Sequence, residues 1–423
     1  MCVRSAAVLA AMAGVAAGLG GRAHADTLTF SNDCGTGLWG TLCPIGGGNY
    51  QSNWGRTGAP SPALLPAAGD LVTISGTVTM DVSPTVALVT VPSGSSLVWS
   101  STALTGAITN GGTVSANTGS NKFLFGSAGN AAGGVWNISD GSFYLSPGSL
   151  TNASGGTVNF SHNGALRRNG GSIAESVLSN SGVVRVTDGN STLGSITLQG
   201  GATGVFETAT GSSLTLEGVM LSGTLNGDHD GDVTFASGCG LADNTTLTTA
   251  PGSNPWGWSS AAFDTGTFTL TNAGWLRLDT GFNKFFTGAA VNGPTGTWAI
   301  EQGALYLSPG ATPTTLTNIG TVVVNSALRR NGGALQNAVL NNTGAVRTTA
   351  SGAAISGIAL VSGGLWATDP AQRLTLSASG SAAHSPATTR ARRRWGRRCN
   401  WWATRRSRRR RAAHTRGAGR LPQ

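Results

Sequence analysis

The 423-residue chain has a formal net charge of +10, yet only 10% of its residues are charged, 65 are glycine and 39% are hydrophobic. So few charged side chains leave little material for amphipathic helices, and hydrophobic residues recurring in short runs argue against a disordered polar polymer. The positive excess is local: residues 390–420 hold 14 Arg and no acid, whereas residues 26–384 hold 11 basic and 17 acidic residues, a balance of −6 that removes the electrostatic basis for nucleic-acid binding by the body.

The chain opens with Arg4, an apolar run over 6–19 and the small-residue site Ala23, His24, Ala25. This pattern predicts a signal peptide over residues 1–25 and an exported chain that starts near Asp26. Export implies an oxidising compartment, so Cys34 and Cys43, nine positions apart, are expected to form a local disulfide in an N-terminal cap; two cysteines without nearby His make a poor zinc site.

Residues 26–100 are read as that cap and the first coils, because a stack of strands ends in an open edge that needs cover. Beyond them lies an internal duplication. Asn121, Lys122, Phe123 recur as Asn283, Lys284, Phe285; YLSPG at 144–148 recurs at 306–310; ALRRNGG at 165–171 recurs at 327–333, each at an offset of 162. The copies are assigned to residues 101–262 and, shortened, 263–380. Within them a shorter motif, apolar–polar–Asn–small–Gly and then a strand, starts at Ile108, Leu150, Leu178, Leu270, Leu316 and Leu340, with 24 residues between the last two. Short β-branched runs such as Thr157, Val158, Asn159, Phe160 supply the strands.

A period of this size fits one coil of a solenoid, so the expected fold is all-β, a right-handed parallel β-helix (β-solenoid) with an N-terminal cap. An antiparallel sandwich is the alternative, since strand content does not fix strand direction. The asparagines before glycine suit left-handed turns and, stacked coil on coil, a side-chain hydrogen-bond ladder. The stretch at 66–81 (PAAGDLVTISGTVTMD), followed by 86–99, together with the Asn-Gly coils, resembles secreted bacterial β-helix repeat proteins, among them autotransporter passengers and surface adhesins. The resemblance covers roughly residues 54–380 and implies a secreted, cell-surface or outer-membrane location, with host, matrix or cell-surface glycans or proteins as partners.

Candidate sites are few. Asp228, Asp230 and Asp232, with His229 among them, can be read as calcium ligands on one strand face or as an acidic turn between the copies. The pairs Arg167, Arg168 and Arg329, Arg330 can meet carboxylated or sulfated glycans, or cap a coil, one Arg on turn carbonyls and the other in solvent. Tyr144 and Tyr306, near the Ser-Pro-Gly turn, read as packing residues rather than sugar-stacking platforms, a reading that exposed aromatics would reverse. No P-loop, dinucleotide fingerprint, nucleophile elbow or zinc-protease helix is found, so no catalytic residue is assigned and no cofactor is required.

The last segment, 381–423, turns Arg-rich with Trp395, Trp401 and Trp402 interleaved. Its composition is that of GC-rich DNA read out of frame; the alternative is a basic arm for anionic lipid or nucleic acid. The function expected is that of an exported structural or adhesive cell-surface solenoid. An acidic-polysaccharide-binding or -degrading protein is the alternative, and ice binding on Thr rows a third idea that irregular Thr spacing disfavours.

Overall fold

The structure, a computed structural model, describes residues 26–46, 49–56, 65–117, 119–259, 262–310, 312–377 and 381–383. The expected signal peptide at 1–25 and the Arg-rich stretch from 384 onward lie outside these residues. Among the described residues there is no α-helix; 38 strands form one continuous sheet, stacked as parallel coils into a β-solenoid of about 14 turns.

Two periodicities produce the stack. Along each strand, residues alternate between the interior and solvent. From coil to coil, like meets like: Thr113, Val135, Thr157, Val183 and Val205 occupy successive rungs of one outer column. Their sequence neighbours Val114, Trp136, Val158, Val184 and Phe206 form the adjoining inner column, each fully buried. Strands that bury one side against a common axis and pair on both edges have no free hydrogen-bonding groups except at the two ends of the stack.

Coil length is not constant. Successive ladder asparagines are separated by as few as 20 residues, from Asn110 to Asn130, and by as many as 28, from Asn152 to Asn180. The extra residues of the long coil go into the NGG turn and the 3-10 segment Ile173–Glu175, leaving the strand register intact. Where two faces merge into one long strand, as in Lys122–Asn130 and Ser142–Asn152, the bend is made by stacked glycines. A Cβ on Gly148 would stand 2.1 Å from the Gly126 carbonyl oxygen, so this corner admits no side chain.

Before the coils, the strand Thr27–Phe30 pairs antiparallel with Trp54–Arg56 and parallel with Leu71–Thr73, joining a disulfide-bearing segment to the first coil. Cys34 and Cys43 are bonded, with Cα atoms 5.7 Å apart. Trp39 and Trp54 pack edge to face at 4.6 Å beneath it, and Trp54 Nε1 donates to the Trp39 carbonyl.

The two copies are not separate bodies. The sequence boundary at 262/263 falls within the strand Ala262–Asn272, which pairs with both Cys239–Thr249 and Lys284–Asn292. Pairing also shows that the copies are turned relative to each other. The column through Ala165–Arg168 continues through Asn190–Gly194, Ser213–Glu217, Asp232–Phe235 and Trp256–Trp258 into Trp275–Leu278. It then runs into Thr297–Ile300 and Thr321–Val324 and never meets the repeated strand Ala327–Arg330, which stacks instead on Ala304–Leu307. The 162-residue offset therefore corresponds to seven coils plus one face of the three-faced solenoid.

Candidate functional site

Inside each copy runs a ladder of four asparagines. Asn110, Asn130, Asn152 and Asn180 are each at most 1% exposed, and each Nδ2 donates to the Oδ1 of the next at 2.8 Å. The second copy repeats this with Asn272, Asn292, Asn318 and Asn342 at 2.7–2.8 Å. The other Nδ2 hydrogen reaches a main-chain carbonyl, as from Asn152 to Val183 at 3.0 Å. These residues are not the left-handed turn residues the sequence suggested: positive φ among non-glycines occurs at Asn32, Asp140, His162, Asn163, Ser195 and Ala371, while the ladder asparagines end strands in extended conformation. The ladder is structural, buried and hydrogen-bonded from coil to coil.

Lys122 and Lys284, repeated but given no role from sequence, are buried at the opposite end of the same strands. Lys122 Nζ donates to the Ser120 carbonyl and hydroxyl at 3.0 and 2.7 Å; Lys284 Nζ donates to the Thr280 and Phe282 carbonyls at 2.7 Å and to the Thr280 hydroxyl. Burial lowers the pKa of both ammonium groups. The outward polarity of their loop hides the fact that a lysine stem can run through the core and let its charged tip snorkel to a carbonyl collar.

The three aspartates are exposed and straddle a bend, Asp228 near the end of Met220–His229, Asp230 in the bend and Asp232 at the start of Asp232–Phe235. Asp228 Oδ1 accepts from Ser253 Oγ at 2.8 Å. Among the described residues no group of three or more His, Cys, Asp or Glu is placed to hold a metal ion. Between the aspartates, His229 points inward, fully buried, its ring edge-on to Trp256 at 4.6 Å and neither ring nitrogen hydrogen-bonded. Burial pushes its pKa down from 6.5 to about 4, with the Asp228 carboxylate opposing the shift.

This histidine makes the junction between copies acid-sensitive. The folded-state pKa lies below the unfolded one, so its share of stability is complete above pH 6.5 and is lost as pH falls toward 4. At about 1.4 kcal/mol per pKa unit, the loss is roughly 3 kcal/mol. His229→Leu is expected to flatten this part of the profile, measured by urea unfolding at pH 7 and pH 4.5. An unchanged difference between the two pH values would show that the buried imidazole does not set it.

The arginines of each pair divide their contacts. Arg168 Nε donates to the Ser195 carbonyl at 3.1 Å and its Nη1 to the Gly170 and Gly171 carbonyls; Arg330 Nη1 likewise reaches the Gly333 carbonyl. Arg168 and Arg330 thus hold the NGG turns. Arg167 and Arg329 face outward on the neighbouring column. Arg167 lies across Gly194, whose absent side chain leaves the room, and meets Glu217 at 3.4 Å. Arg329 is exposed, has Ser356 in place of that glycine, and forms no ion pair or hydrogen bond with another described residue.

On the rungs before each outward arginine stand an outward tyrosine and phenylalanine. Phe123, Tyr144 and Arg167 are consecutive in one column, and Phe285, Tyr306 and Arg329 in another. The rings stack, Phe123 on Tyr144 at 4.9 Å and Phe285 on Tyr306 at 5.2 Å, and all four are half-buried. The motifs NKF, YLSPG and ALRRNGG, scattered over 50 residues of sequence, are therefore three neighbouring rungs of one face in each copy.

A second outward surface escaped the sequence. Thr29, Thr73, Thr90, Thr109, Gly129, Thr151 and Ser179 occupy seven consecutive rungs of one column, although their spacing along the chain is irregular. Beside them stand Leu71, Leu88, Ser149 and Val177, so no charge interrupts the face. Unequal coil lengths concealed the row. Compared with protein-family models, curated proteins and solved structures, the chain matches none.

Proposed function

We propose that this chain is an exported structural or adhesive solenoid displayed at a cell surface. The observation that carries this reading is the uncharged seven-rung column from Thr29 to Ser179, which bears a hydroxyl on every rung except that of Gly129. A rigid, uncharged sheet face with hydroxyl groups on six of seven rungs spaced about 4.8 Å apart supplies many weak contacts at once to an extended partner. The Cys34–Cys43 disulfide supports an oxidising destination, and the antiparallel segment bearing it serves as the cover of the first coil. The coils are taken as right-handed, as parallel crossovers almost always are. Protease treatment and antibody labelling of intact cells test the proposal: surface exposure of the body supports it, and retention inside the cell contradicts it.

A second reading, recognition of acidic polysaccharide, is favoured by the outward Arg167 and Arg329 beside their aromatic pairs. Arg168 and Arg330 are spent on turn carbonyls and drop out of the ligand-contacting set. Calcium at Asp228, Asp230 and Asp232 is not part of either reading. Thermal hysteresis of the purified chain decides whether the hydroxyl row also orders water as ice.

A further inference from the structure

Duplication supplies an internal record of which surface positions were kept. Most outward positions differ between the copies: Asn137 corresponds to Ala299, Gly129 to Val291 and Gln199 to Val361 at the same offset, and Asn159 to Val323 by rung. One outward column is unchanged on three successive rungs, Phe123, Tyr144, Arg167 against Phe285, Tyr306, Arg329. Core packing does not require this identity, since the inward neighbours Leu124 and Phe143 have become Phe286 and Leu305. Retention of an outward-facing arginine beside a stacked aromatic pair, where the surroundings drifted, points to a ligand.

The column has a shape. On the rung before each phenylalanine stands an alanine, Ala103 before Phe123 and Ala262 before Phe285. The alanine is too small to cover the phenylalanine, so a step is left beside the ring. From that step to the arginine is three rungs, about 14 Å. Neither tyrosine hydroxyl hydrogen-bonds to another described residue. A ring with C–H faces against the step, hydroxyls near the tyrosine and a carboxylate or sulfate on the guanidinium describe a short anionic oligosaccharide.

We infer that each copy carries one binding site for an anionic oligosaccharide, Phe123–Tyr144–Arg167 in the first and Phe285–Tyr306–Arg329 in the second, facing different sides of the solenoid. This deepens the second reading above and does not depend on where the chain resides. Seven rungs, about 34 Å, and one face separate the sites. One straight glycan cannot occupy both, so two separate chains are bound. The sites are also unequal: Glu217 competes with the ligand for Arg167, and no described residue competes for Arg329.

The test is phenylglyoxal footprinting of arginines by mass spectrometry on the full chain, which keeps the body sites distinct from the 14 arginines of residues 390–420. The probes are a sulfated heparin tetrasaccharide and a galacturonate tetrasaccharide, whose comparison tells sulfate from carboxylate recognition. Either probe is expected to protect Arg329 at lower concentration than Arg167, leaving Arg185 and Arg347 as reactive as before. Glu217→Gln is expected to lower the midpoint for Arg167 roughly tenfold, as release of one charged hydrogen-bond competitor allows. Tyr306→Ser should weaken protection of Arg329 alone. Protection confined to residues 390–420, or none at all, overturns the inference whatever the cellular location, as does an Arg167 midpoint indifferent to Glu217→Gln.

Discussion

Asn152→Asp is expected to destabilise the solenoid by about 3–5 kcal/mol near neutral pH, because it replaces a donor by a buried charge with acceptors around it. Asn152 is 0% exposed, and its Nδ2 supplies Asn180 Oδ1 at 2.8 Å and the Val183 carbonyl at 3.0 Å. An aspartate keeps the oxygen that accepts from Asn130 Nδ2 but removes the side-chain donor to both downstream acceptors. The carboxyl pKa must rise in the folded state, so the variant's deficit relative to the wild-type chain shrinks as pH falls and grows as pH rises through that pKa. Asn152→Ala loses the same donors without the charge, and a pH-independent deficit of roughly 2–4 kcal/mol follows. Urea unfolding at pH 7.5 and 5 separates the two; equal pH dependence in both variants would mean that the ladder is open to water.

Trp136→Ala carries the second large expected effect, about 3–5 kcal/mol from lost burial and the cavity left behind. The indole is fully buried, and Phe143 stands edge-on between it and Trp99, 5.3 Å from each. Trp136 Nε1 has no hydrogen-bond partner, a polar group carried in the core at a cost. Trp136→Phe therefore removes volume and an unsatisfied donor together and should cost less than half as much as the alanine change, measured by chemical unfolding. Similar losses for both would place the stabilisation in the indole N–H after all.

These effects locate what was readable in the sequence. Strand alternation, coil-sized spacing and the Asn-Gly signature were enough to anticipate stacked coils and an asparagine ladder, because each depends on residues close in sequence. The faces were not readable. Unequal coil lengths, 17 residues from Thr73 to Thr90 and 19 from Thr90 to Thr109 against 28 from Asn152 to Asn180, scramble the vertical neighbours, so Thr29, Thr73, Thr90 and Thr109 look unrelated until the pairing places them on consecutive rungs. The same scrambling hid that Phe123, Tyr144 and Arg167 form one column. Of the candidate arginines, spacing alone did not distinguish Arg168, held by turn carbonyls, from Arg167, held out over Gly194. Lys122 and His229 carried no signal of burial: a charged or titratable residue in a polar stretch gives no sign of pointing inward, yet both do.

The turn of one copy against the other by one face decides where every repeated feature points, and the strand Met220–His229 already spans the two faces that Ala262–Asn272 and Lys284–Asn292 span in the second copy. Met220–His229 pairs with two earlier strands at once, through Gln199 and Ser222 at its start and Glu207 and Asp228 at its end. Cysteine pairs Gln199→Cys/Ser222→Cys and Glu207→Cys/Asp228→Cys, each placed in a chain carrying Cys239→Ser and Cys399→Ser and oxidised under mild conditions, probe both pairings. Adjacent rungs lie within disulfide reach. The geometry predicts that both pairs close in the folded protein. Closure of the first pair with the second remaining reduced would put the copies on the same faces and contradict the account.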